Sequence, residues 1–267
     1  MFPVFPEFYD RIERFFRSDQ PGTTMARSVL ENRCPGNAFV DHPEKPTTAV
    51  VAVDYSFIIG GRHLNPGFLD RVIKSLRRNR NLHLVWPDGQ ADRLKPPPDY
   101  VSTIQRREFR GRDITIRPDL PAPGNIRVCK ITSDLLPRCQ WTHEMERIFG
   151  GFHRFYIHGL GFCLVQGESI LAEAYAAFWG KGRVEIATVT DRNHRLKGLG
   201  LWICTELIEA CESMGFETCW NCDSRNEASI RLARRLGYRL ETSYRLFEYP
   251  SRSKAPSRNA RVRTPSS

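Results

Sequence analysis

The chain has 267 residues, 40% of them hydrophobic, which is length and apolar content enough for one large domain or two small ones around a real core. No run of about 18 apolar residues occurs, which argues against a transmembrane helix, and Glu7, Asp10, Arg11, Glu13 and Arg14 interrupt the aromatic N-terminus, unlike a signal peptide. The formal net charge is +10, and half of that excess lies in the acid-free segment 251–267, whose Ser, Pro and Arg content predicts disorder.

In chain order, residues 1–37 predict a short aromatic helix, with Phe8, Ile12, Phe15 and Phe16 packing one face on the domain, and then a loop with Pro and Gly. Residues 48–59 read as a strand, 65–79 as a helix with Phe68, Val72, Ile73 and Leu76 on one face, and 82–86 as a strand ended by the turn Pro87-Asp88-Gly89. Lys95-Pro96-Pro97-Pro98-Asp99 stiffens a loop. Residues 103–112, with Arg106, Arg107, Arg110 and Arg112, read as an arginine-rich surface, the sharper alternative being a contact to phosphate or RNA. Pro118, Pro121, Pro123 and Gly124 set a boundary near 115–125, giving an N-terminal α/β subdomain (1–120), a second domain (121–250) and the basic tail. Beyond it, 126–131 is a strand and 133–148 a helix broken at Pro137; the segment 152–157 follows. Strands 160–165 and 170–179 then form a hairpin through Gly167-Glu168. No internal repeat is legible.

Residues 184–200 carry the strongest signal. An alternating strand from Val184 to Thr190 passes through a polar turn and a glycine loop into a helix over 200–214, marked by Leu201, Cys204, Leu207, Ile208 and Cys211 at helical spacing. Gly198 and Gly200 let backbone N–H groups converge on an anion at the helix N-terminus, and Arg195 and Lys197 add charge. The ligand this suits is a pyrophosphate. A dinucleotide fingerprint would need a third glycine, and a Walker loop would need Gly-Lys-Ser/Thr, whereas Gly200 is followed by Leu201 and Trp202. The third reading is coenzyme A. A strand over 216–222, a helix opening at Asn226 and closing at Leu236-Gly237-Tyr238, and a last strand over 238–249 follow.

Arg195-Leu196-Lys197-Gly198-Leu199-Gly200, followed by Asn226-x-x-Ser229 and Leu236-Gly237-Tyr238, resembles the GCN5-related N-acetyltransferase (GNAT) superfamily. Gly159-Leu160-Gly161-Phe162-Cys163, Glu185-Ile186, Thr190 and Trp220-Asn221-Cys222 are similar to the GNAT group that includes zwittermicin A resistance acetyltransferases. The resemblance implies an α/β (α+β) GNAT fold, a mixed, mostly antiparallel sheet flanked by helices, with an extra N-terminal subdomain. It implies acetyl-CoA as the acyl donor and a primary amine, of a small molecule, as acceptor. Aminoacyl-tRNA is the alternative acceptor, and an acyl-CoA-binding module without catalysis is the alternative class.

Acetyl transfer needs a neutral amine, a polarised thioester carbonyl and a proton for the leaving thiolate. By the resemblance, main-chain groups of Ala187, Thr188 and Val189 meet the acetyl and pantetheine end, and Arg195, Leu196, Lys197, Gly198, Leu199 and Gly200 hold the pyrophosphate. Glu185 is the candidate general base. Where many members carry an acidic tyrosine this chain has Ala233, so Ser229, Tyr238, Tyr244 or a water is left as candidate acid. Asn226 and Ser229 are candidates for the pantetheine arm or adenosine end, with helix capping as the structural alternative. The acceptor pocket is expected along 155–162 and the first subdomain, with His153, His158 and Trp141 left outside it. Eight cysteines without a secretion signal imply reduced thiols and a cytoplasmic protein. Cys219 and Cys222 lack a second pair at zinc spacing and face opposite sides of a strand, so no metal is expected.

Overall fold

The computed structural model describes residues 1–53, 56–61, 65–76, 82–85, 102–115 and 124–249. The elements in order are β1 (Phe2–Val4), α1 (Asp10–Glu13), α2 (Thr23–Leu30), β2 (Asn37–Val40), β3 (Thr48–Val53), β4 (Ser56–Gly61), α3 (Pro66–Leu76), β5 (Leu82–Val85) and β6 (Ser102–Arg110). Then come β7 (Arg127–Lys130), α4 (Thr142–Phe149), α5 (Phe152–His158), β8 (Gly161–Gln166), β9 (Ser169–Gly180), β10 (Arg183–Thr190), α6 (Leu199–Ser213), β11 (Glu217–Asp223), α7 (Glu227–Arg235) and β12 (Arg239–Tyr249). No helix among the described residues is long and apolar enough to cross a membrane.

The twelve strands among the described residues join one sheet, in the order β1-β2-β3-β4-β5-β12-β6-β11-β10-β9-β8-β7. The pairs β4/β5 and β10/β11 are parallel, each joined by a crossover helix, and the other pairs are antiparallel. The order reads the same from both ends when each strand is exchanged with the one six places on. The second half repeats the first as strand, helices, three antiparallel strands, crossover helix and parallel strand. The last strand of each half crosses to the other half, so β6 pairs with β11 and β12 pairs with β5. A repeat absent from the residue pattern is therefore present in the topology.

Both faces of the sheet are covered. On one lies a core running from Ile12, Phe16, Ala26 and Val29 through Val51, Ile58 and Tyr244 to Met145, Phe149, Phe155 and Tyr175. On the other face α3 packs Phe68, Leu69, Val72 and Ile73 over Val50, Phe57 and Phe247. There α6 and α7 pack Leu207, Ile208, Ile230 and Ala233 over Val184, Ile186 and Trp220. The glycine at the end of β9 lets α2 settle on the sheet, since a Cβ on Gly180 would stand 2.1 Å from Arg27 Cβ.

Four expectations change. The helix expected over 133–148 is a 3-10 turn at Leu136–Arg138 and then α4 from Thr142. Residues 48–59 form two strands that reverse between Val53 and Ser56. The predicted loop after the aromatic helix contains α2, whose polar sequence hides buried Ala26 and Val29. Residues 102–110 are a central strand, not an arginine-rich surface: Glu108 and Arg110 are 2% and 4% exposed and form a buried ion pair. Arg110 also donates to the carbonyls of Ser18 and Gln20, and the Gly22 N–H donates to Glu108. The turn at 87–89, the proline run at 95–99, the prolines at 118–123 and the tail lie outside the described residues.

Candidate active site

The sheet opens between β10 and β11. The two strands pair at Arg183–Glu217, Val184–Thr218 and Glu185–Cys219 and no further, although both continue. β11 turns to β6 from Trp220 onward, and β10 stays with β9 as far as Thr190. A register shift between Glu185 and Ile186 marks the bulge where they part. Beyond it, no strand among the described residues pairs with the edge of β10 that carries Ala187, Thr188 and Val189, which leaves main-chain groups there to be satisfied otherwise.

The loop after β10 leads to the N-terminus of α6. Asp191 accepts the Asn193 N–H at 2.9 Å and meets His194 Nδ1 at 2.9 Å, which fixes the turn. Leu196 (φ +62°) and Gly198 (φ +79°) are left-handed, and Leu196 is fully exposed. A left-handed leucine without packing is strain held by its neighbours. No side chain caps α6 at Gly198, so its first-turn N–H groups keep their bonding capacity toward a ligand. A Cβ on Gly200 would stand 3.0 Å from Thr190 Oγ1, which is the close approach that glycine permits here. Arg195, Lys197 and Leu199 complete this loop.

Glu185 sits at the fork, partly buried, on the α2 face of the sheet. Burial pushes its carboxyl up to about 7, although Arg106 and a hydrogen bond from Asn221 pull it down; Glu108 adds to the rise. Asn221 Oδ1 accepts the Tyr244 hydroxyl at 3.0 Å, and burial raises that phenol well above its ordinary range. Ala187, Tyr175 and Trp141 lie on the same face, the two rings edge to face with centroids 6.2 Å apart.

The other predicted residues stand on the opposite face. The Tyr238 hydroxyl donates to Thr218 Oγ1 at 2.6 Å, buried against α6, so it is not brought together with Glu185. Ser229 Oγ accepts the Trp220 indole N–H at 2.9 Å, and Asn226 Oδ1 accepts the Ser229 N–H at 3.1 Å, which makes Asn226 the cap of α7. Cys219 meets Thr24 on one face, whereas Cys222 packs on the other. Arg106, Glu108 and Asn221 were not singled out as site residues from the sequence. Residues 106–110 read Arg-Arg-Glu-Phe-Arg, with Phe109 the one apolar residue, so no alternation marks this strand as buried.

The model of the GNAT acetyltransferase family matches residues 14–247, nearly the whole described chain. The chain belongs to the GNAT acetyltransferase family. It is 22% identical over 248 residues to "Uncharacterized N-acetyltransferase YdfB" of Bacillus subtilis (strain 168), covering 90% of this chain and 95% of that protein. A GCN5-related N-acetyltransferase-like protein from Streptococcus suis 89/1591 superposes with a TM-score of 0.70 at 22% identity, covering 92% of this chain and all of that one. A tandem GNAT protein from the clavulanic acid biosynthesis pathway gives a TM-score of 0.60 at 12% identity, over 94% and 98% of the two chains. At such identities the structural likeness speaks for the fold, and the family match identifies this acetyltransferase as an enzyme.

Proposed function

We propose that this enzyme transfers the acetyl group of acetyl-CoA to a primary amine of a small molecule, with Glu185 as general base. The observation that carries the reading is a carboxyl poised near 7 at the fork of two parting strands, on the strand that leads to the uncapped N-terminus of α6. The loop from Arg195 to Gly200 fits a pyrophosphate, because its glycines, its two cations and the helix dipole all favour an anion. The exposed edge of β10 at Ala187, Thr188 and Val189 fits a thioester and its amide-bearing arm, which need N–H donors and C=O acceptors in line.

In this reading Glu185 takes a proton from the ammonium of the acceptor, directly or through a water. The free amine attacks the thioester carbon, and the carbonyl oxygen gains charge toward a main-chain N–H of β10. The C–S bond then breaks as the attacking nitrogen gives up its second proton to solvent, and the thiolate, with a pKa of about 8.5 for a free thiol, takes a proton from solvent in turn. Tyr244 is the hydroxyl on the Glu185 face and donates to Asn221, as Tyr238 donates to Thr218 and Ser229 accepts from Trp220. The acceptor enters beside Tyr175 and Trp141, and the similarity to zwittermicin A resistance enzymes favours an amino-bearing antibiotic or metabolite. The motive for an RNA acceptor weakens, because Arg106, Arg110 and Arg112 bond to Tyr244, Glu108 and Glu212 within the fold.

The test is thiol release from acetyl-CoA over a panel of amines, amino acids, aminoglycosides and aminoacyl-tRNA. Acceptor-dependent release that drops at least about 100-fold in Glu185→Gln is expected, in line with the loss of a general base. Binding of acetyl-CoA without release for any acceptor would favour a coenzyme-binding module, to which the Ala233 departure also points.

A further inference from the structure

Glu185 stands at the end of a hydrogen-bonded chain that spans three further strands. Arg106 on β6 and Tyr244 on β12 are direct cross-strand partners, and the guanidinium donates to the phenol oxygen. Tyr244 donates to Asn221 Oδ1 at 3.0 Å, and the Asn221 amide on β11 hydrogen-bonds the Glu185 carboxylate. A guanidinium has only donors and a carboxylate only acceptors. The hydroxyl and amide between them can therefore satisfy the chain in one direction alone. Arg106 Nε is buried with no partner, so the positive charge lies in a poorly solvated place and acts over a longer range than it would in water.

We propose that Arg106, Tyr244 and Asn221 are positioning residues, which hold the Glu185 carboxylate in one orientation at the fork between β10 and β11. The proposal rests on the reading of Glu185 as the base. The two halves of the sheet give it independent support. In the first half the last described pair of β4 and β5 is Ile58–Val85, where the second half has Glu185–Cys219. Ile58 thus holds the place of Glu185, and it is 2% exposed in an apolar core. Among the described residues the polar chain exists at Glu185 and not at its counterpart Ile58, which a purely structural need of the strand exchange would not explain. It also depends on that exchange, because Arg106 comes from the strand that the first half inserts beside β11.

The groups that face Glu185 are Arg106 and Glu108 from β6, Cys219 and Asn221 from β11 and Tyr244 from β12, with Thr24 of α2 against Cys219. Glu108 is held by Arg110 and by the Gly22 N–H, so Arg106 is the cation left to act on Glu185.

The test needs no acceptor. The carboxyl stretch of the full-length protein is followed against pH by difference infrared spectroscopy, with Glu185→Gln assigning the band. The wild-type band is expected to titrate at about 7. In Arg106→Gln the midpoint rises by about one unit or more, and Arg106→Lys, which keeps the charge, returns it toward the wild-type value. Tyr244→Phe leaves every charge in place but unties Asn221, so the carboxylate stretch shifts in frequency. Melting curves establish that each variant is folded. Should Arg106→Gln not fold, Arg106→Lys and Tyr244→Phe carry the test through the frequency of the same band. A Glu185 band unmoved in midpoint and frequency by the folded variants overturns the proposal. A wild-type spectrum with no Glu185 band titrating near neutrality overturns the reading of Glu185 as a base, and the proposal with it.

Discussion

Glu185 is poised for proton transfer at a cost in stability. Its folded pKa is about 7 against an ordinary 4.5. Between those values the folded chain keeps a proton that the unfolded chain has lost, so this group's contribution to stability falls as pH rises through the window. Glu185→Gln keeps the shape and removes the buried charge. The variant is expected to match the wild type near pH 4 and to exceed it near pH 8 by on the order of 2 kcal/mol. Urea midpoints at the two pH values check this, and a variant equally destabilised at both would show that the carboxyl contributes shape rather than charge. At Gly180 the expectation has the opposite sign. A Cβ there meets Arg27 Cβ at 2.1 Å and Arg27 backbone at 3.1 Å, so Gly180→Ala forces α2 off the sheet. A loss of about 3 kcal/mol is expected from such overpacking, read from the same urea midpoints.

Among the elements, α6 and α7 divide binding from stability. Gly198→Ala puts a Cβ into a left-handed position, at a cost of about 1 kcal/mol, in a loop that carries little of the core. Its larger effect is expected in calorimetry, as weakened acetyl-CoA affinity. Asn226→Ala removes the cap of α7 and should cost about 1 kcal/mol. It lowers the thermal midpoint, whatever its effect on the coenzyme. These two helices and β11 were legible in the sequence because their signals are local: a helical period, a glycine loop, an Asn cap. The main-chain site on β10 was legible only by resemblance, since the parting of strands that frees it is a matter of pairing. What escaped were features whose partners lie far along the chain. Arg27 in α2 is buried because it bonds the carbonyls of Glu13 and Phe16. Arg110 is buried because Glu108, Ser18 and Gln20 surround it. A row of arginines reads as solvated surface until those partners are known.

At the scale of the whole molecule, the mirrored strand order raises the question of how many coenzymes bind. The first half has the same parallel pair and crossover helix as the second, but the place matching Glu185 and its surroundings differ in three ways. Ile58 replaces the carboxylate, as a core residue. The end of β4 is covered by the chain itself: a Cβ on Gly60 would stand 2.6 Å from the Phe15 carbonyl oxygen, and Phe16 beside it is fully buried. The first turn of α3 is also occupied, since Asn65 Oδ1 accepts the Phe68 N–H at 3.0 Å, whereas α6 has no such side-chain cap. An anion at α3 would have to displace Asn65, and a pantetheine arm would have to displace the segment around Phe15. Arg27, 3% exposed, holds that segment by bonds to Glu13 and to the Glu13 and Phe16 carbonyls. Calorimetric titration of the full chain with acetyl-CoA is therefore expected to give one site per chain. Gly198→Ala should weaken that site, and no second, unaffected heat should appear. Two sites, one of them insensitive to Gly198→Ala, would mean that the first half opens on binding and that the duplication serves the coenzyme twice. A single site leaves the first half a different task, that of lending β6, and with it Arg106, to the fork of the second.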